Sequence, residues 1–142
     1  MSMFSAFEIA GSAMSAQAQR LAERFWPGPL TLVMRRSPDL PGLVTGGADT
    51  VAVRMPDHLV PLALARRLGR PITGTSANLS GQPDLLDLSA LETQLGGLVD
   101  YIIQAGPVPA GTPSTIVDVT GDAPQLLREG AISLQEILET AG

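Results

Sequence analysis

The 142-residue sequence contains no cysteine and a single histidine, His58, and both shortages exclude kinds of chemistry. Without cysteine, the chain forms no disulfide and offers no thiolate as a nucleophile or metal ligand. One histidine supports neither a Ser/His/Asp triad nor a histidine-based metal site, although an all-carboxylate metal site stays open. We therefore assign His58 no role, name no catalytic side chain, and predict no metal bound by the protein alone.

Lysine is also absent: all nine basic residues are arginine, and the net charge is −5 with a pI near 4.6. This balance argues against a broad basic face for nucleic acid, because phosphate contacts need clustered basic side chains. A small anionic ligand fits better, because a pocket needs only a few cationic or N–H donors. No apolar run reaches the ~18 residues of a membrane span, and the N-terminus lacks a signal-peptide pattern. We predict a soluble, cytoplasmic protein without membrane contact.

The pattern of the chain predicts an α/β protein with one domain, residues 1–142, because helical and strand periods alternate without a repeat or a linker. The prolines of Trp26-Pro27-Gly28-Pro29 end the first helix, and Ser133 with Glu136 matches a capping box. Helices are predicted over residues 15–25, 59–68 (with Gly69 as C-cap) and 88–95, and from Ser133 onward. Strands are predicted over residues 30–34, 50–54, 72–75, 99–104, 114–119 and 125–128.

Two arginines and two groups of hydroxyl residues are the candidates for binding chemistry. Arg54 ends a predicted strand, where its guanidinium can bind a carboxylate or phosphate or simply pair with Asp57. Arg128 ends another strand, with a salt bridge to a nearby glutamate as the alternative. Ser114-Thr115 and the turn SANLSG, residues 76–81, offer hydroxyls. In the alternative, the hydroxyls of the pair only satisfy the backbone at a strand start, and SANLSG is an ordinary turn. The residues alone therefore predict an anion pocket and go no further.

Four motifs in fixed order make the sequence resemble the YrdC/TsaC family of threonylcarbamoyl-AMP synthases (L-threonylcarbamoyladenylate synthases). They are FWPGPLTLVM (residues 25–34), DTVAVRMP (49–56), TSANLSGQP (75–83) and STIVDVTGDAPQLLREGAI (114–132). The resemblance covers about residues 13–137 and implies a YrdC-like twisted, open, mixed sheet flanked by helices, with a concave cleft. It also implies a nucleotidyltransferase that makes threonylcarbamoyl-adenylate from L-threonine, bicarbonate and ATP. The product passes to a partner complex that modifies tRNA adenosine-37.

The resemblance assigns L-threonine contacts to three positions. Arg54 looks like the clamp on the threonine carboxylate, Gly74 like a backbone contact, and Ser114 like a side-chain contact. The family mechanism has the threonine amine capture bicarbonate or CO2, after which the carbamate attacks the α-phosphate of ATP. Positioning and electrostatics supply most of such a catalysis.

The resemblance assigns ATP contacts to Thr50, Ser76 and Arg128, with Asn78 as a further candidate in the same turn as Ser76. Magnesium is expected to arrive with ATP, held mostly by phosphate oxygens and water. No metal site on the protein itself follows from the family pattern.

The chain departs from the family pattern at its N-terminus, where members carry a strand-helix-strand segment with a K-x-R motif. No lysine is present here, so the sequence looks N-terminally truncated and its own activity is uncertain. Asp84 also stands where the family has a neutral hydroxyl segment, and its carboxylate would repel a triphosphate. The alternative is a non-catalytic remnant that binds nucleotide, threonine or RNA. A missing segment would also expose a sheet edge, which predicts a homodimer through that edge.

Overall fold

The computed structural model describes residues 14–78, 81, 85, 87–104 and 111–142. It divides into two compact units. The first, here called the sheet unit, consists of Met1–Ile72 and Thr112–Gly142, and the second unit is Thr73–Gly111. Whether the chain is one domain stays a prediction.

The sheet unit contains three helices and four strands in its described part. Its helices are α1 (Ala16–Phe25), α2 (Leu59–Leu68) and α4 (Leu134–Ala141), with a 3-10 turn at Gly42–Thr45. Its strands are β1 (Leu30–Arg35), β2 (Thr50–Arg54), β3 (Thr115–Asp118) and β4 (Gln125–Arg128). The described part of the second unit contains one helix, α3 (Leu88–Leu95).

The four strands form one mixed sheet in the order β2-β1-β3-β4. The central pair β1 and β3 is parallel, whereas β2 pairs with β1 and β4 pairs with β3 in antiparallel fashion. This arrangement confirms the predicted α/β class with a mixed sheet flanked by helices. No helix in the described part of the chain is long and apolar enough to cross a membrane.

The core lies on one face of the sheet because the side chains of β1 alternate between the two faces. Leu30, Leu32 and Met34 are buried, whereas Thr31, Val33 and Arg35 point to the opposite face and are more exposed. Residues of the two flanking helices complete the core cluster: Ala18, Leu21 and Ala22 of α1 and Ile137 and Ala141 of α4. We call the opposite face, where the described strand residues are more exposed, the open face of the sheet.

The caps predicted from the sequence are confirmed. The Ser15 side chain accepts a hydrogen bond from the Ala18 backbone N–H at the start of α1. Gly69 ends α2 in the left-handed conformation, with φ of 64°, which glycine adopts without a steric penalty. Ser133 and Glu136 form the predicted capping box at the start of α4. His58 caps α2, since its Nδ1 accepts from the Val60 N–H at 3.2 Å.

Two predicted strands are wrong, those at residues 72–75 and 99–104, because neither stretch is strand in the structure. Both stretches are short and contain β-branched residues, which favour strands, but a strand forms only where a partner completes the hydrogen-bond ladder. Tyr101 is 81% exposed and Ile103 is 49% exposed, so these apolar side chains fill no core. The sequence of a segment therefore predicts a strand poorly when no neighbouring strand pairs with it.

Candidate functional site: the arginine face of the sheet

Register places the two candidate arginines in one row across the open face of the sheet. Arg54 on β2 lies opposite Thr31 on β1, Thr31 opposite Ile116 on β3, and Ile116 opposite Arg128 on β4. Residues that lie directly opposite share a face. Three strand spacings separate the backbones of the two arginines, roughly 14 Å. We call the surface formed by Arg54, Thr31, Ser114 and Arg128 the arginine face.

An irregularity in β4 brings Arg128 onto this face. Val117 pairs with Leu126, but the next pair is Ile116 with Arg128, so the register shifts by one residue between them. Without the shift, strict alternation would point Arg128 to the same side as Leu126, which packs against the core. A bulge is a known way to re-aim one side chain, and here it turns a guanidinium toward the open face.

A backbone carbonyl orients the Arg54 side chain. Its Nε donates to the Gly28 carbonyl at 3.1 Å, and the Gly28 N–H donates to the Met55 carbonyl at 2.8 Å. A Cβ at Gly28 would clash with the Phe25 carbonyl. Only glycine therefore lets the backbone at position 28 lie so close to Phe25. Because Nε is used, the Nη1 and Nη2 groups form the fork that remains for a ligand. Within the described residues, that fork has no hydrogen-bond partner.

Arg128 is held in the same way, on the Ser114 carbonyl. Its Nε and Nη2 donate to this oxygen at 3.1 and 2.8 Å, and Nη2 also lies 3.3 Å from the Ser114 hydroxyl. The Ser114 hydroxyl in turn lies 2.9 Å from the Thr31 hydroxyl. A Cβ at Gly130 would come within 2.8 Å of the Ser114 carbonyl oxygen. Glycine at position 130 therefore lets the end of β4 approach Ser114.

The hydroxyl of Thr115 fixes the turn that follows Arg128. Thr115 is fully buried, donates to the Ile132 carbonyl at 2.7 Å, and accepts from the N–H groups of Gly130 and Ile132 at 3.0 and 2.9 Å. One buried side chain thus satisfies three backbone groups that have left the β-ladder. It holds the turn after β4 against the start of β3, where Ser114 lies.

Both guanidinium groups are charged at neutral pH. Partial burial, and then the positive charge of Arg128, lower the pKa of the Arg54 side chain from its usual value. Because a guanidinium is the most basic side chain in proteins, Arg54 still keeps its proton at neutral pH. The repulsion between the two arginines is relieved by an anion bound beside them, and guanidinium groups match the geometry of carboxylate and phosphate. This arrangement therefore favours an anionic ligand.

Asp118, an acidic residue of β3 on this face, is directed toward a turn. Asp118 lies one row further along β3, and its Oδ1 accepts from both the N–H and the hydroxyl of Thr120, at 2.8 and 2.6 Å. Its charge is thereby engaged locally. The arginine face is thus locally positive although the net charge of the chain is −5, and the net charge alone does not predict this.

The structure brings together three of the predicted site residues, Arg54, Ser114 and Arg128. Thr50 lies on the same face at the other end of β2, opposite Arg35. The backbones of Thr50 and Arg54 are roughly 13 Å apart along the strand. The assigned roles of all these residues stay predictions.

The remaining predicted residues, Gly74, Ser76 and Asn78, belong to the second unit. Gly74 and Ser76 are exposed and Asn78 is half-buried. The Ala77 carbonyl accepts from the Leu85 N–H at 2.9 Å, which draws the ends of this turn together. Leu79, Ser80 and Asp84, to which the sequence also drew attention, lie outside the described residues.

A cavity of about 510 Å³ lies elsewhere on the sheet unit, between the start of α1, the turn after β3 and the end of α4. Gln17 lines it and donates through its side chain to the Gly121 carbonyl at 2.7 Å. None of the predicted site residues lines this cavity. This cavity and the arginine face are therefore two separate places on the sheet unit.

Sequence reasoning missed three residues that build the site: Gly28, Thr31 and Gly130. Thr31 carried a usable signal, because it is the one hydroxyl within the strand motif LTLVM and alternates with Leu30 and Leu32. Gly28 and Gly130 carried none, since their roles depend on close approaches to the Phe25 carbonyl and to Ser114. Thr115 was noted beside Ser114 at a strand start where hydroxyls satisfy the backbone, and its hydroxyl does so.

Comparison with known proteins identifies the family. The Sua5/YciO/YrdC family model, described as "Telomere recombination", matches residues 1–130. The chain is 42% identical over 139 residues to the threonylcarbamoyl-AMP synthase of Pyrococcus abyssi, covering 98% of this chain and 41% of that protein. It is 43% identical over 127 residues to the Bacillus subtilis protein of the same name, covering 89% and 37% respectively.

The fold agrees with a solved structure of this group. The crystal structure of P. abyssi Sua5 complexed with L-threonine superimposes with a TM-score of 0.89 at 41% identity, covering 100% of this chain and 42% of that one. The chain spans about two fifths of the length of these relatives. The predicted resemblance to the YrdC/TsaC group and its fold is confirmed. The chain belongs to the Sua5/YciO/YrdC family.

Proposed function

We propose that this chain is the substrate-binding sheet of a threonylcarbamoyl-AMP synthase. Such a protein makes threonylcarbamoyl-adenylate from L-threonine, bicarbonate and ATP, and a tRNA-modifying complex then uses it at adenosine-37. The arginine face carries the proposal, because it holds two charged guanidinium groups beside a pair of hydroxyls. Support also comes from the names of the P. abyssi and B. subtilis relatives and from the L-threonine bound to P. abyssi Sua5.

Arg54 binds the threonine carboxylate in this proposal. The Gly28 carbonyl occupies its Nε, and the Nη1/Nη2 fork can donate two parallel hydrogen bonds to two carboxylate oxygens. Ser114 adds a hydroxyl contact and Gly74 a backbone contact. Holding the amino acid by its carboxylate leaves the amine free to react, and restricting its orientation lowers the entropy cost of the reaction.

The proposed chemistry joins two anions. The threonine amine attacks bicarbonate or CO2 to form a carbamate, with loss of a water molecule or a proton respectively. A carbamate oxygen then attacks the α-phosphorus of ATP, the bond to the β-phosphate oxygen breaks, and pyrophosphate leaves. Arg128 offsets negative charge on the phosphates, while Thr50, Ser76 and the further candidate Asn78 bind the nucleotide. Fixed positive charge beside developing negative charge lowers the barrier without later reorganisation.

Magnesium enters on the triphosphate in this proposal. The described residues contain no group of three or more His, Cys, Asp or Glu side chains placed to hold a metal ion. Phosphate oxygens and water, which are the usual ligands of Mg²⁺ at nucleotide sites, would therefore supply most of its coordination, and the ion would offset charge on the phosphates.

A second candidate function is binding without catalysis. The arginine face offers two guanidinium groups to an anion, and binding an anion needs no further group. In this case the chain would bind threonine or nucleotide and release no pyrophosphate. An RNA-binding role has less support, because the net charge is −5 and RNA binding relies on phosphate contacts.

A homodimer through a sheet edge is a further part of the proposal. Among the described strands, β2 and β4 are the outer two of the sheet, and an unpaired edge offers backbone donors and acceptors to a second strand. Light scattering at several concentrations tests this, and a monomeric mass at all of them would contradict it.

The test of the proposed function is the reaction itself. The chain is incubated with L-threonine, bicarbonate and Mg-ATP, with pyrophosphate measured enzymatically and threonylcarbamoyl-AMP by mass spectrometry. Pyrophosphate that depends on both threonine and bicarbonate, and that is lost in Arg54→Ala, supports a synthase. Threonine binding without pyrophosphate supports the second candidate, and the absence of both activities contradicts the proposal.

A further inference from the structure

The Thr31 and Ser114 hydroxyls form a hydrogen-bonded pair next to Arg128. Their oxygens lie 2.9 Å apart, and Arg128 Nη2 lies 3.3 Å from the Ser114 oxygen. A guanidinium can only donate, whereas each hydroxyl has one proton and two lone pairs. Arg128 therefore fills an acceptor site on Ser114, and one of the two hydroxyl protons is used between Ser114 and Thr31.

Counting the protons leaves one hydroxyl proton free to point out of the pair. If Ser114 donates to Thr31, the Thr31 proton points outward. If Thr31 donates to Ser114, the Ser114 proton points outward. Ser114 is only 7% exposed and is enclosed by Arg128 and Thr31, whereas Thr31 is half-buried on the open face. The more accessible hydroxyl is that of Thr31.

We infer that Thr31 is a ligand-binding residue of the arginine face, with its hydroxyl proton donated to an anionic oxygen of the ligand. Ser114 then accepts from Arg128 and donates to Thr31, which orients the Thr31 hydroxyl, and its second lone pair stays available for the contact with L-threonine proposed above. The position of Thr31 supports this, because it lies directly opposite Arg54 on the neighbouring strand. The ligand oxygen would thus be reached by the Arg54 fork from one side and by the Thr31 hydroxyl from the other.

This inference rests on the proposed function for the identity of the ligand, L-threonine. That the bound group is an anion follows from the arginine face itself. A hydrogen bond from a hydroxyl to a charged oxygen is stronger than one between neutral groups. Its loss should weaken binding about tenfold or more. The effect should depend on the hydroxyl and not on the shape of the side chain.

The test compares Thr31→Val with Thr31→Ser. Valine keeps the β-branched shape that strands favour, and serine keeps the hydroxyl. Nuclear magnetic resonance titrations with L-threonine and, separately, with inorganic phosphate give a dissociation constant for each variant. The sole tryptophan, Trp26, which is buried in the core, reports by its fluorescence whether each variant is folded.

We expect Thr31→Val to weaken both ligands about tenfold, Thr31→Ser to bind within about twofold of the unmodified chain, and Ser114→Ala to lose less than Thr31→Val. Wild-type affinity for both probes in Thr31→Val would overturn the inference, as would a larger loss in Ser114→Ala. If the unmodified chain binds phosphate but not threonine, the proposed function fails and the phosphate results still decide the role of Thr31. If it binds neither probe, both ideas fail.

Discussion

The sheet unit and the second unit both contain runs of apolar residues, but only the sheet unit buries them. Leu30 and Leu32 of β1 are fully buried between partner strands and helices. In the second unit, Leu98 is 70% exposed and Tyr101 is 81% exposed. The difference teaches that an apolar run becomes a strand where neighbours complete its ladder and cover one face, and remains irregular where the described residues provide neither.

The largest effect that separates the two units should come from Leu32→Ala. Removing a fully buried side chain from the central strand loses transfer free energy and leaves a cavity, which costs about 2–5 kcal/mol of unfolding free energy. Urea denaturation followed by Trp26 fluorescence measures this. The matched change Leu98→Ala in the second unit should stay within about 0.5 kcal/mol. Equal losses in the two variants would break the comparison.

An intermediate effect is expected from Thr115→Val. The hydroxyl of Thr115 partners three backbone groups around Gly130 and Ile132, and its loss leaves buried donors unsatisfied, at a cost of about 1–3 kcal/mol.

Thr93→Val in the second unit is the control for Thr115→Val, because the Thr93 hydroxyl donates to the Ser89 carbonyl on an exposed helix surface. The same denaturation experiment should show almost no change for this variant. A Thr115→Val chain as stable as the unmodified one would contradict the role assigned to that hydroxyl.

A smaller effect should follow from Ser133→Ala at the start of α4. Loss of the capping side chain costs about 1 kcal/mol. The corresponding cap in the second unit is Asp87, which accepts from Ser89 and Ala90 backbone N–H groups. Asp87→Ala should change the unfolding reported by Trp26 less than Ser133→Ala does. The reverse order would show that the second unit contributes to the stability of the core.

The same capping box gives the smallest effect, a dependence on pH. Hydrogen bonds from the Ser133 backbone and then from its hydroxyl lower the pKa of Glu136. A lowered pKa in the folded state adds stability above the unfolded pKa of about 4.3, and this stability is lost as the pH falls through the folded pKa. An NMR pH titration of the Glu136 carboxyl carbon should give a higher pKa in Ser133→Ala than in the unmodified chain. An unchanged pKa would contradict the contribution of the Ser133 hydroxyl, since the backbone hydrogen bond stays in this variant.

Much of the sheet unit could be predicted because its signals are local. Strands β2 and β4 and helix α2 were predicted with the observed bounds, and β1, β3 and α1 with nearly the same ones, because alternation, prolines and caps mark them. The two strands predicted in and beside the second unit were wrong, because pairing depends on distant residues that a local pattern does not contain.

The candidate site could be predicted only in part for the same reason. Arg54 and Arg128 end predicted strands, so the sequence pointed to them. Their placement in one row depends on register and on the shift in β4, and their orientation depends on the carbonyls of Gly28 and Ser114. None of these contacts has a signature in the residues themselves.

The most direct test of the account is a calorimetric titration of L-threonine into the chain and into two arginine variants. Arg54→Ala removes the proposed carboxylate fork, and Arg67→Ala removes an exposed arginine of α2 as a matched change in charge. The account predicts that the unmodified chain and Arg67→Ala bind L-threonine, whereas Arg54→Ala loses at least about tenfold in affinity. Equal affinity in Arg54→Ala, or an equal loss in Arg67→Ala, would contradict the claim that the arginine face is the threonine site.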